Sequence, residues 1–137
     1  MNISQAAKLS GLSSKTIRFY EQQGVIGAAN RAENGYRVYS KQQLEQLRFI
    51  KRARDLGFSL GQSRELLEFL HNPQRRSAEV KARVLDHVDQ INQQLEQLTQ
   101  MRDQLLTLSH QCRGDDSADC PILDALNSDR SDKKINI

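Results

Sequence analysis

Two cysteines are the residues of this chain whose chemistry is most specific. Cys112 and Cys120 have seven residues between them, the intervening segment is polar, and Pro121 follows the second cysteine. Thiolates are ligands that soft metal ions select, and two of them in a nearly linear arrangement complete the shell of copper(I) or silver(I). The pair therefore predicts a site for a soft, singly charged metal ion, although two thiols at this spacing are by themselves a modest motif.

A zinc site is the alternative chemistry for the same segment. Structural zinc takes four ligands in a tetrahedron, and the chain supplies only His71, His87 and His110 besides the cysteines. His110 is a candidate third ligand that would favour zinc, but a histidine near a helix C-terminus also interacts favourably with the helix dipole. On these residues alone, both interpretations stay open.

Ser77 is of interest because a long helix is predicted to begin there. An ion held by two thiolates carries a net negative charge, which is costly to bury unless a helix N-terminus or other dipoles compensate it. In an antiparallel dimer, the start of one long helix lies near the end of its partner, where Cys112 emerges. The simpler interpretation is that Ser77 only caps its helix.

A second group of residues has the chemistry to bind nucleic acid. Lys15, Thr16 and Arg18 are predicted to face outward from a short helix that can enter the major groove of DNA. The segment that follows this helix adds cations and phenols that suit contacts with phosphates. These residues are Arg31, Tyr36, Arg37 and Tyr39. For Tyr20, Tyr36 and Tyr39, each taken alone, packing in the core is the alternative.

The charge distribution supports a nucleic-acid partner for the first half of the chain. Residues 1–76 hold 13 Lys/Arg and 6 Asp/Glu, a net charge of +7, whereas residues 77–137 hold 7 and 11, a net charge of −4. The basic half is the one expected to meet a polyanion. With 137 residues and 5% aromatics, the chain is too short for a large catalytic domain, and we expect no enzyme activity.

The sequence gives no indication of a membrane-bound protein. The first residues lack the pattern of a signal peptide, and no segment approaches the roughly 20 apolar residues that span a bilayer. We therefore expect a cytoplasmic protein with no membrane partner. In that reducing compartment the two cysteines are expected as thiols and not as a disulfide.

The elements that must position these residues are mostly helices. Ser4 is predicted to cap a helix through Leu9, and Ser13 to cap a second helix that ends near Gln22. Two short helices across a turn that contains Gly11 predict a helix-turn-helix. The residues predicted to form most of its small core are Ala6, Ala7, Leu9, Leu12, Ile17 and Phe19.

A hairpin wing is predicted after the second helix. Residues 25–39 contain β-branched and aromatic residues around Asn34-Gly35, a dipeptide that favours the positive φ angles of a tight hairpin turn. Ser40 with Gln43 then forms a capping box that opens a helix, and Ser59 with Gln62 opens another through Leu70. Residues 1–70 are therefore predicted to form a winged helix-turn-helix domain with a following helix pair.

A long helix is predicted from Ser77 to Ser109, after a linker over residues 71–76. Its apolar residues recur at the alternating spacing of four and three that is typical of a coiled coil. They are Val84, Val88, Ile91, Leu95, Leu98, Met101, Leu105 and Leu108. The helix is too long for the small domain to cover its narrow apolar stripe. This predicts self-association, most simply as a two-fold dimer with antiparallel helices.

The remaining residues are predicted to form a metal loop and a tail. Residues 110–127 contain the loop and a short helix that begins at Pro121, and residues 128–137 are polar and predicted to be disordered. The predicted fold is thus mainly α-helical, with a winged helix-turn-helix domain, a long dimerisation helix and a metal-binding loop with a short helix.

The chain resembles the MerR family of transcription regulators along almost its whole length. The resemblance lies in two motifs, Ile17-Arg18-Phe19-Tyr20-Glu21 with Gly24, and Arg31 with Asn34-Gly35-Tyr36-Arg37-Val38-Tyr39. Within this family, Cys112, Cys120 and Ser77 resemble the copper-responsive branch and related gold-responsive regulators. Relatives that respond to divalent metals carry a cysteine at the position of Ser77.

This resemblance implies a homodimer that binds promoter DNA and acts on RNA polymerase. In such promoters the spacer between the two recognition elements is too long for polymerase. Metal binding is expected to make the dimer kink and untwist this DNA, which realigns the elements. Arg18, Tyr20, Tyr36 and Arg37 match DNA-contacting positions, which adds Tyr20 to the predicted interface. Cys112 and Cys120 match the metal ligands, with copper(I), silver(I) or gold(I) as the ion, and Ser77 matches the selectivity position.

Two other functions compete with this prediction. The first is a regulator of the same architecture that senses zinc or another divalent ion, with His110 in the site. The second is a copper carrier or buffer whose basic face is incidental, although a carrier has no use for a winged helix-turn-helix.

Overall fold

A computed structural model describes residues 1–128 of the chain, so the disorder predicted for the tail falls outside the described residues from position 129 onward. The described part contains six helices and two short strands. They are α1 (Ile3–Ser10), α2 (Ser14–Gln22), β1 (Asn30–Arg31), β2 (Arg37–Val38), α3 (Lys41–Asp55), α4 (Leu60–His71), α5 (Ser77–Gln111) and α6 (Pro121–Leu126). The predicted mainly helical fold is confirmed. Within residues 1–128, no helix is long and apolar enough to span a membrane.

The described part of the chain divides into two compact units, of which the first spans residues 1–84 and the second begins at Leu85. The boundary falls inside α5, between Val84 and Leu85. The first unit contains α1 to α4 with the wing, and the second contains the remainder of α5, the loop and α6. Each unit is described separately below.

The first two helices form the predicted helix-turn-helix, with one correction at its start. Asn2, and not Ser4, caps α1: its side chain accepts a hydrogen bond from the amide of Gln5, whose own side chain accepts from the amide of Asn2. This reciprocal pair satisfies two amides that no helical carbonyl reaches. Ser13 caps α2 as predicted and accepts from the amide of Thr16 at 3.0 Å.

The core of the first unit collects residues from α1, α2, the wing and the helix pair. Its fully buried large side chains include Ile17, Tyr39, Leu47 and Ile50. The prediction was correct for Ala6 and Ile17, which are buried, and for Ala7 and Leu12, which pack against the core in partly buried positions. It was wrong for Leu9 and Phe19, which are 49% and 47% exposed.

Helix geometry explains the two errors. Ile17 and Tyr20 are three residues apart and share the buried face of α2, so Phe19, two residues after Ile17, points about 200° away from it. On α1 the buried residues are Ala6 and Ser10, which are four apart and leave Leu9 to the side. Counting apolar residues without their helical phase therefore overestimated the core.

The wing is shorter than the predicted hairpin. β1 and β2 pair in an antiparallel register, with Asn30 opposite Val38 and Arg31 opposite Arg37. The amide of Gly35 donates to the carbonyl of Ala32 at 2.9 Å, which closes the turn. Of the predicted turn dipeptide, only Gly35 has a positive φ, at 83°. The turn thus spans residues 32–35 and is not a two-residue turn.

The helix pair after the wing forms as predicted. Both capping boxes are present, with Ser40 and Gln43 at the start of α3 and Ser59 and Gln62 at the start of α4. The two helices pack on each other, and α4 extends one residue beyond the predicted end, to His71.

Helix α5 has 35 residues, a length of about 52 Å at 1.5 Å per residue. Ser77 is its first residue, and the carbonyl of Arg76 accepts from the amides of Glu79 and Val80. Arg76 therefore stands before the helix, and Ser77 is not the cap that the sequence predicted. The apolar stripe with coiled-coil spacing is called the seam below, and in the second unit several of its residues are exposed on α5. They are Val88, Leu95, Leu98, Met101 and Leu105.

Candidate metal centre and nucleic-acid interface

The two cysteines lie at the ends of a short loop between α5 and α6. Helix α5 ends at Gln111, and the amide of Cys112 donates to the carbonyl of Ser109 at 3.3 Å. Cys120 occupies the capping position of α6, with Pro121 as the first helical residue, and its sulfur makes no capping hydrogen bond. Both cysteines are half-buried free thiols. Each candidate ligand is therefore attached directly to a helix end.

Local hydrogen bonds shape the loop between the cysteines. The Asp115 carboxylate accepts from the amide of Ser117 at 2.9 Å, and the Ser117 hydroxyl accepts from the amide of Asp119 at 3.1 Å. Gly114 has a φ of 68°, a backbone conformation that side chains with a Cβ rarely adopt. The exposed Asp115 side chain therefore helps to fix the conformation of the loop.

The donor set of the loop fits a two-coordinate ion better than a tetrahedral one. Among residues 1–128, no group of three or more His, Cys, Asp or Glu side chains is arranged to hold a metal. His110 lies within the last turn of α5 and is not gathered with the cysteines into such a group. Two thiolates are a sufficient shell for copper(I), whereas structural zinc takes four ligands.

Helix α2 carries the first part of the predicted nucleic-acid interface. Lys15 and Arg18 are exposed, and Ile17 and Tyr20 fix the helix on its opposite face. The Thr16 hydroxyl is half-buried and accepts a hydrogen bond from the Ser13 hydroxyl at 2.8 Å. The two cations are thus free to reach DNA, while Thr16 is partly engaged at the helix start.

Arg18 and two wing residues line one groove. The groove has a volume of about 660 Å³, and its walls include Arg18 from α2 together with Tyr36 and Arg37 from the wing. Tyr36 is 73% exposed. Arg31 lies across the strand pair from Arg37 and donates to the carbonyl of Gly35 at 2.9 Å. The structure therefore brings together, on one basic surface, cations that are 19 residues apart in the sequence.

Tyr20 and Tyr39 are core residues. Tyr39 is 1% exposed and Tyr20 is 6% exposed, which favours the packing alternative over direct contact of their rings with DNA. The Tyr39 hydroxyl donates to the carboxylate of Glu21. Burial, and then the hydrogen bond and negative charge of Glu21, raise the pKa of Tyr39. Tyr39 thus lies in the core beneath the candidate interface.

Glu21 is the residue that sequence reasoning did not assign. Besides the Tyr39 hydroxyl, its carboxylate faces the Arg37 guanidinium at 3.5 Å and the amide of Ala29 at 3.4 Å. It follows Tyr20 directly in the sequence motif on α2. This place in the motif was the one feature of the sequence that could have pointed to a role for Glu21. Its partners lie 8 to 18 residues away, so no local spacing reveals them.

The comparisons with known proteins agree with this arrangement. Residues 1–70 match the model of the MerR helix-turn-helix regulatory family, and residues 44–108 match the MerR DNA-binding family. The chain belongs to the MerR family. It is a DNA-binding transcription regulator and not an enzyme, as the sequence predicted. Membership of a regulator family also removes the support for a copper carrier with an incidental basic face.

Individual relatives cover nearly the whole chain. The transcriptional regulator CueR of Escherichia coli O6:H1 is 51% identical over 93% of this chain and 94% of its own length. The crystal structure of PbrR691 from Ralstonia metallidurans in complex with lead(II) has a TM-score of 0.79 at 30% identity, and covers 92% of this chain and 98% of that one.

A third comparison is more distant. The MerR regulator of Bacillus megaterium in complex with mercury(II) has a TM-score of 0.69 at 28% identity, with 90% of this chain and 95% of that one covered. The CueR relatives confirm both the family and the branch that the sequence predicted.

Proposed function

We propose that this MerR-family regulator senses copper(I) through Cys112 and Cys120 and activates promoters of copper efflux and detoxification genes. Silver(I) and gold(I) are expected to substitute, because they share the preference of copper(I) for thiolates. The observation that carries the proposal is the pair of half-buried free thiols on two helix ends, with no wider metal-binding group in the described chain.

Ser77 supports the choice of a singly charged ion. It begins α5 and is exposed, and its hydroxyl is a poor ligand for soft metals compared with the thiolate that divalent-metal relatives are expected to carry there. PbrR691 binds lead(II) and the Bacillus megaterium regulator binds mercury(II). A site with one thiolate fewer carries less negative charge, which disfavours the capture of a divalent ion.

The exposed apolar stripe of α5 supports a homodimer. Five large side chains of the seam are between 42% and 63% exposed in the single chain. Soluble monomers rarely leave so continuous a stripe in water, and its spacing suits packing on a second copy of the same helix. We propose that this antiparallel helix pair is the dimer interface. The dimer acts on RNA polymerase bound at the same promoter.

Transcription in vitro tests sensing and output together. The template is a promoter with a long spacer, chosen by its binding to the protein, and the variable is the added ion: copper(I), silver(I) or zinc(II). The unaltered protein is expected to raise transcript yield at least tenfold with copper(I) or silver(I) and little with zinc(II). Cys112→Ser is expected to bind the promoter normally and to give no metal response.

A matched control uses the same loop. Asp116→Asn changes an exposed side chain between the cysteines and is expected to keep the full response. An equal response of the unaltered protein to copper(I) and zinc(II), or a persisting response of Cys112→Ser, would contradict the proposal. X-ray absorption on the copper-loaded protein adds a direct check, since two sulfur ligands and four mixed ligands give different spectra.

A further inference from the structure

The carboxylate of Glu21 connects α2, the predicted recognition helix, to three points of the segment that follows it. Its two oxygens face the Tyr39 hydroxyl, the Arg37 guanidinium and the amide of Ala29. The side chain is 10% exposed. A carboxylate so buried requires partners of this kind, because an unpaired one would be strongly destabilising.

The wing depends on such external contacts for its orientation. Its strands have two residues each, and a hairpin this small is at best marginally stable alone. Other contacts fix its two ends: Gln43 donates to the carbonyls of Gly27 and Ala28, and Tyr39 pairs through its backbone with Met1. Glu21 is the side chain of α2 that holds β2 through an ion pair.

The contact also fixes how Arg37 is presented. Its Nε faces Glu21 at 3.5 Å, and its side chain is 31% exposed beside the groove that it shares with Arg18. A guanidinium has five N–H donors in a rigid fork, so engagement of the Nε edge leaves the two terminal nitrogens for an anion in the groove. Phosphate is the anion that a DNA duplex would place there.

We propose that Glu21 is the positioning residue of the DNA-reading surface: it holds Arg37, and through Tyr39 the base of the wing, in register with the recognition helix. The inference rests on the DNA contact that the sequence predicts for Arg37. The effect that it predicts for removal of the Glu21 charge is opposite to the effect expected from electrostatics alone. A negative charge beside the groove repels phosphate, so its removal should tighten DNA binding, whereas the loss of positioning should weaken it.

The test compares two substitutions that remove the same charge. Glu21→Gln keeps the shape of the side chain, and Glu33→Gln removes a carboxylate from the exposed wing turn. Affinity and its salt dependence are measured on a duplex that the unaltered protein selects from a random-sequence library. Glu33→Gln is expected to leave affinity unchanged or slightly tighter. Glu21→Gln is expected to weaken it about tenfold and to reduce the salt slope by about one, the value of one lost phosphate contact.

Arg37→Gln completes the cycle. If Glu21 acts through Arg37, then Glu21→Gln adds little further loss in the Arg37→Gln background. The inference is overturned if Glu21→Gln behaves like Glu33→Gln, or if its loss persists undiminished without Arg37. An Arg37→Gln variant with normal DNA affinity would instead overturn the proposed contact of Arg37, and this inference with it.

A second variant keeps the test decisive if Glu21→Gln does not fold, as judged by circular dichroism. Tyr39→Phe leaves the carboxylate and the core ring in place and removes one of the three contacts. It is expected to weaken DNA binding about threefold and to leave the salt slope within half a unit, because Arg37 keeps its partner. An affinity equal to that of the unaltered protein would then count against Glu21 as the positioning residue.

Discussion

At the scale of single residues, the protonation of Tyr39 is coupled to folding. Burial and the adjacent Glu21 carboxylate raise its pKa in the folded protein, whereas an unfolded tyrosine loses its proton near pH 10. The unfolded chain therefore releases a proton that the folded chain retains. Stability is unaffected below about pH 9 and falls above pH 10, by up to about 1.4 kcal/mol per pH unit.

Chemical unfolding of Tyr39→Phe and the unaltered protein between pH 8 and pH 11 measures this effect. Tyr39→Phe is expected to be less stable at neutral pH, because Glu21 loses a buried donor, and to decline less steeply above pH 10. Lysine titration contributes equally to both proteins. Parallel stability curves would show that Tyr39 does not control the alkaline limit.

The same residues mark how far the sequence predicts the site. Cations such as Arg18 and Arg37 were predicted as DNA contacts from charge and spacing, and the structure leaves them accessible. A phenol suits both the core and a phosphate, so sequence alone left Tyr20 and Tyr39 open. Glu21 escaped because its role depends on partners brought together by the tertiary fold. The metal role of Cys112 and Cys120 remains a prediction.

At the scale of elements, the wing turn requires a positive φ angle at Gly35. Gly35 has a φ of 83° with open space around it, and Gly27 has open space without a positive φ. Gly35→Ala is therefore expected to destabilise the wing by about 1–2 kcal/mol through backbone strain alone. Gly27→Ala is expected to be neutral or slightly stabilising.

Two measurements separate these variants. Gly35→Ala should bind its selected duplex several-fold more weakly and exchange wing amides with solvent faster, while its helical circular dichroism is unchanged. Gly27→Ala should match the unaltered protein in each measurement. Equal behaviour of the two alanine variants would mean that the turn conformation does not govern wing stability.

The start of a helix was predictable where the sequence offers one capping box and no competing cap beside it. Ser40 with Gln43 and Ser59 with Gln62 offered one solution each, and both were correct. At the first helix, Asn2 and Ser4 are both good caps, and the reciprocal bond between Asn2 and Gln5 decides in favour of Asn2. Ser77 was misjudged as a cap because the helix begins at this residue and not after it.

At the scale of the whole molecule, the exposed seam of α5 predicts that self-association requires its leucines. Leu98 is 58% exposed on the seam, and Gln93 lies on the opposite side of the same helix. Leu98→Lys is expected to shift the protein from dimer to monomer in sedimentation equilibrium at micromolar concentration, since it would bury two charges near each other. Gln93→Lys should remain dimeric. A dimeric Leu98→Lys protein would place the interface elsewhere.

The whole-molecule features differ in how far one chain specifies them. Helix content and the winged domain follow from local patterns, and the family follows from motifs that span almost the entire length. The pairing of two chains involves symmetry, which apolar spacing indicates but does not define. A contribution of Ser77 to the metal site is likewise not defined by one chain, because it depends on the position of a partner's helix.

The placement of Cys112 just after α5 and of Cys120 just before α6 has a mechanical consequence. An ion that draws the two sulfurs together must also fix the angle between the two helices that carry them. Binding of the ion and orientation of the helices would then occur together. Glycines inserted between the cysteines would therefore weaken the transcriptional response to the ion before they weakened binding of the ion. In the proposed sensor, the short spacer is what links metal binding to the angle between α5 and α6.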